Sequence, residues 1–291
     1  TQRGGYSYGE YVRVPGNQAK GFPMKIFNKE ISIFDFLPYI FFRIHRQYKS
    51  RRDEWRKWQN PATPILVWHG EILDTYSQFG EDIILSEIFR DQPTGRFLDV
   101  GANHPKELNN TYKLYKKGWR GVNVEPGNKM FDLLQQVRPD DKTLQVGVGK
   151  NSGQATFYEM DVDSISTFNL KAAHNSEYGK NIISSNQVKI ITLAQIFEAE
   201  FYSLHCDLLS IDVEGDNFEV LEGNDWARFR PSYIVIEMPG QERTEIVPYL
   251  YRQGYFLVYD NSLNGIFKDS GLPGPHNQPK TLQQCLNAHT C

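Results

Sequence analysis

The chain has 291 residues, of which 40% are hydrophobic and 13% aromatic, so it can bury a sizeable core. Its formal net charge of −3 shows none of the basic excess that nucleic-acid-binding proteins usually carry, so the charge does not indicate nucleic-acid binding. The three cysteines, Cys206, Cys285 and Cys291, show neither CxxC nor Cys/His spacing; they indicate no zinc site or disulfide framework and favour a reducing, cytoplasmic compartment.

Residues 1–75 differ in pattern from the rest and are predicted to form an accessory, helical region. The longest apolar run, 31–42, contains Asp35 and Pro38 and is shorter than the roughly 20 residues of a membrane-spanning helix. The next segment, 43–59, carries seven Lys/Arg beside several aromatic residues. A membrane-surface or partner-binding face over 31–59 is one interpretation; a solvated helix packed through its aromatic side chains is the favoured one.

From about residue 77 strand-like and helix-like patterns alternate, which predicts a parallel sheet with crossover helices. The predicted strands are 96–100, 121–125, 143–149, 208–215, 233–238 and a terminal pair within 255–269 that turns near Asn264-Gly265. The predicted helices are 109–118, 130–137, 193–200, 218–225 and 244–254. An extra strand at 151–160, a polar loop at 163–186 and a strand at 187–192 interrupt the alternation, and 270–291 reads as an irregular tail.

Acidic residues dominate the carboxyl ends of the predicted strands, where ligands of open parallel sheets bind. The positions of interest are Asp99, Gly101 and Asn103 after the first strand, Glu125 after the second, Gly147 and Val148 in the third, Asp212 and Glu214 in the fourth, and Glu237 in the fifth. Glu125 follows the turn at Gly101 by about 20 residues, a spacing that suits hydrogen bonds to the two hydroxyls of an adenosine ribose.

The turn FLDVGANHP, residues 97–105, does not fit a pyrophosphate. A dinucleotide fingerprint would need glycine at Asn103 and near Lys106, and no GxxxxGK(S/T) loop is present. Carboxylates at the strand ends would repel phosphate groups and attract a cation. S-adenosylmethionine, which carries a sulfonium and an ammonium but no phosphate, is therefore the predicted cofactor. A nicotinamide-dependent oxidoreductase and a non-catalytic binding module with the same fold remain alternatives.

Five stretches follow one another along the chain: YSQFGEDIIL, FLDVGANHP, NNTYKLYKKGWRGVNVEP, LLSIDVEGDNFEVLEG and IVIE. In this order and spacing they resemble the FkbM family of S-adenosylmethionine-dependent methyltransferases over about residues 77–261. The resemblance implies a class I methyltransferase fold over 76–269, a Rossmann-like α/β arrangement with a mostly parallel seven-stranded sheet and helices on both faces. It also implies methyl transfer to oxygen, most often to a sugar hydroxyl of a glycan, glycolipid or glycosylated natural product.

The resemblance further implies which residues hold the cofactor. They are Ser77, Gln78, Glu81 and Asp82 over its methionine end, Asp99, Gly101 and Asn103 in the methionine-side turn, Glu125 with Pro126 at the ribose, and Gly147 and Val148 near the adenine. The polar loop adds Ser164, Ser166 and Thr167, which could meet either the cofactor or the acceptor. The oligomeric state cannot be inferred from these patterns.

A sugar hydroxyl must lose its proton during methyl transfer, which requires a general base or a metal ion. Asp212 and Glu214 would point the same way if their strand extends that far; they could act as base and orienting group or hold Mg²⁺ or Mn²⁺. Glu237 could complete this site, and His104 is a second base candidate. The structural alternatives are an ammonium contact or helix cap for Asp212, an ion pair for Glu214 and a turn role for His104 before Pro105.

Overall fold

The computed structural model describes residues 75–174 and 181–271 with their side chains. It also describes the backbone of Asn175 and of four short strands nearer the N-terminus. The chain divides into two compact units, Thr1–Gln59 and Asn60–Cys291. The predicted boundary between an accessory region and the main domain at residue 75 stays a prediction.

The described strands before residue 75 form two antiparallel hairpins. In the first unit β1 (Pro23–Ile26) pairs with β2 (Lys29–Ser32), and in the second β3 (Ile65–Trp68) pairs with β4 (Glu71–Asp74). These stretches are therefore extended, although the region was predicted to be helical. The basic segment 43–59, on which the predicted membrane-surface face depends, lies outside the described residues, as does most of the predicted tail. None of the helices that the structure describes is long and apolar enough to cross a membrane.

The second unit continues with alternating strands and helices. The strands are β5 (Arg96–Val100), β6 (Arg120–Val124), β7 (Lys142–Leu144), β8 (Gly147–Val148), β9 (Gly153–Met160), β10 (Ile182–Ile191), β11 (Leu208–Ile211), β12 (Tyr233–Glu237), β13 (Tyr255–Asp260) and β14 (Asn264–Asp269). The helices are α1 (Glu81–Ile88), α2 (Tyr112–Lys117), α3 (Asn128–Val137), α4 (Leu170–Asn175), α5 (Leu193–Glu200), α6 (Asn217–Glu222) and α7 (Glu242–Arg252). A short 3₁₀ turn spans Asp163–Ile165.

Seven strands form the central sheet in the order β13-β14-β12-β11-β5-β6-β7. β14 runs antiparallel to its neighbours, and the other strands are mutually parallel. The predicted mostly parallel seven-stranded α/β fold is thus confirmed. Because successive strands add outward from β5 on one side and from β11 on the other, the topological switch point lies between β5 and β11.

Hydrophobic clusters cover both faces of the sheet, which explains why its strands are nearly continuous apolar runs. On one face Leu98 and Val100 of β5 belong to a cluster with buried residues of α5, α6 and α7. On the other face Phe97 belongs to a cluster with buried residues of α1 and α2. The alternation along β5 leaves Asp99 on the side of Phe97, at the end of a strand that both cores hold in place.

Several predicted boundaries were wrong. The predicted polar loop 163–186 contains the 3₁₀ turn, α4 and the first residues of β10, and three further errors have a local reason. The predicted third strand divides into β7 and β8, and β8 pairs with β10 in a separate sheet of order β8-β10-β9. β11 ends at Ile211, four residues before the predicted end at 215. The terminal strands turn at 261–263 rather than at Asn264-Gly265, because Asn261 Oδ1 accepts the N–H groups of Leu263 and Asn264 and closes the turn earlier.

Candidate active site

The loops after β5 and β11 cross closely at Gly101. This residue has φ 79°, and a Cβ atom placed there would lie 1.8 Å from the carbonyl oxygen of Asp212. The Gly101 N–H donates to the carbonyl of Val124 at the end of β6. Glycine is therefore required by the crossing of the two loops as well as by its left-handed backbone. The crossing brings the ends of β5, β6 and β11 to one crevice.

Glu125 is buried at the end of β6 and is fixed by backbone donors. Its Oε2 accepts the N–H of Asn103 at 2.9 Å, and its Oε1 accepts the N–H of Gly127 at 2.7 Å. Burial raises the pKa of Glu125 to about 7, while these two hydrogen bonds oppose the rise. Each oxygen keeps a further lone pair for a ligand. The structure thus holds the predicted ribose-binding carboxylate in one orientation.

Asp99 is also buried, and its hydrogen bonds come from the segment leading into α2. Its Oδ2 accepts the hydroxyl of Thr111 at 2.7 Å and the side-chain amide of Asn109 at 3.3 Å. Asn103, the third residue predicted for this turn, has φ 46° and donates its side-chain amide to the carbonyl of Asp163 at 3.0 Å. The predicted methionine-side turn is therefore held by neighbours that the sequence analysis did not identify.

The predicted cofactor residues before β5 are engaged mainly with one another. Asp82 accepts the hydroxyls of Thr75 and Ser77 and the N–H of Tyr76, at 2.6, 2.9 and 2.9 Å respectively. Ser77 and Asp82 are fully buried, whereas Gln78 is exposed. The Ser77–Asp82 contact closes the turn that leads into α1. Of these residues, Gln78 has the side chain best placed to meet a ligand from solvent.

Glu81 connects α1 to the turn between β13 and β14. Its Oε1 accepts the side-chain amides of Asn261 and Asn264 at 2.8 and 2.7 Å, and its Oε2 accepts the N–H of Phe79 at 2.9 Å. The side chain is fully buried. Glu81 therefore holds together the start of α1 and the turn between β13 and β14, which are far apart in sequence.

Asp212, Glu214 and Glu237 form an acidic group at the ends of β11 and β12. Burial raises the pKa of each of them. The charge of Asp212 further raises the pKa of Glu214 and of Glu237, whereas the charges of Asp99 and Glu81 further raise the pKa of Asp212. Hydrogen bonding between Asp212 and Glu237 lowers the pKa of the former and raises that of the latter, so Glu237 keeps the proton and donates it to Asp212. Oδ1 of Asp212 is buried and accepts no N–H or hydroxyl group of the described residues.

Asp212 and Glu214 do not lie on a strand, although they were predicted to point the same way if the strand extended that far. Because β11 ends at Ile211, both residues lie in the loop that follows it, and the strand alternation that would point them the same way does not reach them. Glu214 instead has a left-handed backbone with φ 55°, and its carbonyl accepts the Thr167 hydroxyl at 3.0 Å. Their charges nevertheless interact, because the charge of Asp212 raises the pKa of Glu214.

The predicted metal site at Asp212 and Glu214 is not supported. Within the part of the chain that the structure describes, no group of three or more His, Cys, Asp or Glu side chains could hold a metal ion. Metal ligands must be deprotonated, and the raised pKa values of Asp212 and Glu214 oppose this. No step of the chemistry is assigned to a metal.

His104 is placed as a turn residue. Its Nδ1 accepts the N–H groups of Glu107 and Lys106 at 2.9 and 3.3 Å, so the neutral ring carries its proton on Nε2. Burial lowers the pKa of His104. Protonation at Nδ1 would break both backbone hydrogen bonds, and the geometry therefore favours the structural alternative over the base.

The predicted adenine side adjoins an aromatic pair. Gly147 and Val148 are buried in β8, and a Cβ atom at Gly147 would lie 2.5 Å from both Ile190 and Phe168. The Phe168 ring lies 4.8 Å from that of Phe157 between centroids. Phe168 was missed in the sequence because it lies in a stretch that reads as a polar loop. Pro126, beside Glu125, is half-buried.

A family model for the FkbM methyltransferase domain matches residues 99–257, more than half of the chain. The chain belongs to the FkbM family of S-adenosylmethionine-dependent methyltransferases. The matched residues run from Asp99 to β13 and include Glu125, Asp212 and Glu237, so the crevice at the strand ends lies within the FkbM domain. No curated protein matches the chain.

Solved methyltransferase structures resemble the chain at low identity. A TehB-like SAM-dependent methyltransferase from Corynebacterium glutamicum is 13% identical, with a TM-score of 0.34 over 78% of this chain and 99% of that one. The 1,6-didemethyltoxoflavin-N1-methyltransferase of Burkholderia thailandensis, with bound S-adenosylhomocysteine, is 12% identical, with a TM-score of 0.33 over 84% and 92%. Aeropyrum pernix fibrillarin, with bound S-adenosyl-L-methionine, is 12% identical, with a TM-score of 0.31 over 71% and 81%.

Proposed function

We propose that this FkbM protein is an O-methyltransferase that uses S-adenosylmethionine to methylate a sugar hydroxyl in a glycan, glycolipid or glycosylated natural product. The observation that carries the proposal is the carboxyl group of Asp212. One of its oxygens is buried without a hydrogen-bond partner in the described part of the chain, and its backbone touches the turn at Gly101. An unpartnered buried carboxylate oxygen is costly unless a ligand group uses it.

The side chains at the strand ends fit S-adenosylmethionine, which supplies an electrophilic methyl group. Glu125 would accept the ribose hydroxyls, because both of its oxygens are already oriented by backbone donors. Asp99 would attract the cationic amino-acid end. The turn at Gly101 offers a single glycine at the point of closest crossing, which suits a cofactor without a pyrophosphate.

In this proposal Asp212 is the general base. Its raised pKa brings its basicity closer to neutral pH, where a base is most effective. Glu237 keeps its proton and hydrogen-bonds to Asp212, whose Oδ1 is buried without a partner among the described residues and would accept the proton of the acceptor hydroxyl. Fixed orientation of the acceptor oxygen supplies much of the remaining acceleration, up to roughly 7 to 11 kcal/mol.

The charge of the crevice favours a neutral acceptor. The strongest influences on the pKa values of Asp212, Glu214 and Glu237 are burial, carboxylates and hydrogen bonds, with no Lys, Arg or His among them. A phosphorylated or carboxylated sugar would meet only like charge from these groups. We therefore infer that the acceptor hydroxyl belongs to an uncharged sugar.

The test is methyl transfer in vitro from labelled S-adenosylmethionine to panels of neutral, phosphorylated and uronic-acid-containing oligosaccharides and glycolipids. Mass spectrometry should show one added methylene on neutral acceptors, and fragmentation or NMR should place it on oxygen. Asp212→Asn is the matched control, because it keeps the shape of the side chain and removes the base. Methylation on nitrogen or carbon, or methylation by Asp212→Asn at the wild-type rate, would contradict the proposal.

A further inference from the structure

We propose that Arg138 and Thr111 are positioning residues that orient Asp99 toward the cationic amino-acid end of the cofactor. The inference rests on the proposed use of S-adenosylmethionine by this site. It starts from a fully buried arginine at the end of α3, away from the acidic crevice. A buried charge is costly unless its contacts compensate for lost hydration, so its environment requires an explanation.

Arg138 is held by an ion pair and by two aromatic rings, and its Nη2 is buried without a hydrogen-bond partner among the described residues. Its Nε donates to the Oδ2 of Asp141 at 2.8 Å, in an ion pair whose two side chains are both fully buried. Its guanidinium carbon lies 5.1 Å from the ring centroid of Phe97 and 5.0 Å from that of Tyr115. Because ring contacts and the ion pair fix its plane, the guanidinium can direct its remaining donors with little freedom.

One of those donors is directed at the group that binds Asp99. Nη1 of Arg138 donates to the Thr111 hydroxyl at 3.0 Å and to Oδ1 of Asn109 at 3.3 Å. The Asn109 Oδ1 also accepts the N–H groups of Thr111 and Tyr112. The Thr111 hydroxyl has two acceptors within reach, Oδ2 of Asp99 at 2.7 Å and Oδ1 of Asn109 at 3.0 Å. Since the Asn109 oxygen already has three other donors and Asp99 is closer, the single proton of the hydroxyl is best used by Asp99.

The result is a directed chain from Arg138 through Thr111 to Asp99. A hydroxyl that accepts from a cation becomes a stronger donor to the next group, so the buried positive charge strengthens the Thr111–Asp99 hydrogen bond. The hydrogen bonds of Asp99 to described residues all use Oδ2. The chain therefore fixes one carboxylate oxygen and leaves Oδ1 with its lone pairs for a cationic ligand group.

The test compares two ligands that differ only in the amino-acid part. S-adenosylhomocysteine carries the amino-acid end, and 5′-methylthioadenosine has the same thioadenosine group without it. We expect Thr111→Val to weaken binding of S-adenosylhomocysteine about tenfold, measured by calorimetry, because a hydrogen bond to a charged group is lost. Binding of 5′-methylthioadenosine should be unchanged, and Thr111→Ser should restore the affinity for S-adenosylhomocysteine.

Thr143→Val is the matched control on the same sheet. The hydroxyl of Thr143, in β7, is buried and has no hydrogen-bond partner within the described residues, so its removal should change neither affinity. If Thr111→Val does not fold, as judged by thermal unfolding, Thr111→Cys, which keeps a weaker donor, should show the same ligand contrast to a smaller degree.

The outcomes separate this inference from the proposed function. If Thr111 variants weaken both ligands equally, or neither, the hydroxyl is only structural and the positioning role is overturned while cofactor binding stands. If the wild-type protein binds neither ligand, the cofactor assignment fails and this inference fails with it. A selective loss for S-adenosylhomocysteine, absent in Thr143→Val and restored in Thr111→Ser, supports it.

Discussion

Buried carboxylates on the two sides of the switch point have opposite surroundings. The β5-side carboxylates, defined as Glu81 and Asp82, each accept at least two hydrogen bonds from protein donors. The β11-side carboxylates, defined as Asp212, Glu214 and Glu237, lie among other buried carboxylates, and burial and these neighbouring charges raise their pKa values.

The difference shows which acidic residues stabilise the fold and which remain available to bind a ligand. A carboxylate whose lone pairs are filled by protein donors stabilises the folded chain and has little left for chemistry. A carboxylate buried among like charges destabilises the folded chain, and such groups concentrate at functional sites. Acidic residues therefore have structural or chemical roles according to the hydrogen-bond donors around them.

The largest expected effect is on turnover. Asp212→Asn should lower kcat about 10²- to 10⁴-fold, because the general base is lost. Its affinity for S-adenosylhomocysteine should stay close to that of the wild type, since Glu125 and Asp99 hold the cofactor in our proposal. Steady-state kinetics with a neutral sugar acceptor and calorimetry with the product cofactor check both parts. A fall in affinity as large as the fall in kcat would place Asp212 with the cofactor instead.

A β5-side substitution should affect stability rather than chemistry. Asp82→Asn replaces one acceptor oxygen with an amide donor that faces the Tyr76 N–H or a hydroxyl of Thr75 or Ser77. We expect the free energy of unfolding to fall by about 2 to 3 kcal/mol, because a buried donor is left unsatisfied. Urea denaturation measures the loss, and kcat of the folded fraction should be unchanged. A variant of full stability but low kcat would show that Asp82 acts in the chemistry, as proposed for the β11-side carboxylates.

Sequence reasoning identified the strand ends but not their surroundings. Asp99, Glu125 and Asp212 were predicted to share one edge because the carboxyl ends of parallel strands meet there, and the structure brings them together. The pairing of Ser77 with Asp82 was not predictable, because both read equally well as ligand-binding residues until the fold supplied their partners. For the same reason the N–H groups bound by His104 Nδ1 could not be foreseen.

The residues at which strands end and turn were harder to predict than the strands themselves. The run IDVEG reads as strand up to Glu214, but the close crossing at Gly101 ends β11 at Ile211. The Asn264-Gly265 pair is a strong hairpin signal, yet Asn261 closes the turn three residues earlier. Both errors arise from contacts between segments far apart in sequence or from side chains that cap a loop, which local patterns do not contain.

A smaller effect is expected in the pH dependence of cofactor affinity, which depends on Glu125. This residue shares protein donors with the β5-side carboxylates and a raised pKa with the β11-side carboxylates. It has two backbone donors, yet burial raises its pKa to about 7. Below pH 7 the carboxyl group takes up a proton and loses an acceptor site, so affinity for S-adenosylhomocysteine should fall about tenfold from pH 8 to pH 6. Glu125→Gln should bind weakly at both values. A wild-type affinity independent of pH would remove Glu125 from the ribose site.

The smallest expected effect concerns Glu214, where removal of a charge should stabilise the protein. Burial and the neighbouring Asp212 raise the pKa of Glu214 from 4.5 to about 8. Between these values the folded state keeps a proton that the unfolded state has lost, so this group's contribution to stability falls as pH rises from 4.5 and is lost above 8. Glu214→Gln mimics the protonated form and should match the wild type near pH 5.

At pH 8.5 the Glu214→Gln variant should unfold at a higher temperature than the wild type, by about 2 to 4 °C for each 1 kcal/mol gained. Differential scanning calorimetry at the two pH values measures the gap, and Glu245→Gln, on an exposed position of α7, is the control whose gap should not change with pH. If Glu214→Gln lowers the unfolding temperature at pH 8.5, Glu214 has a stabilising partner and belongs with the β5-side carboxylates. If the difference in unfolding temperature between Glu214→Gln and the wild type widens with pH, the ionised carboxylate of Glu214 destabilises the folded protein.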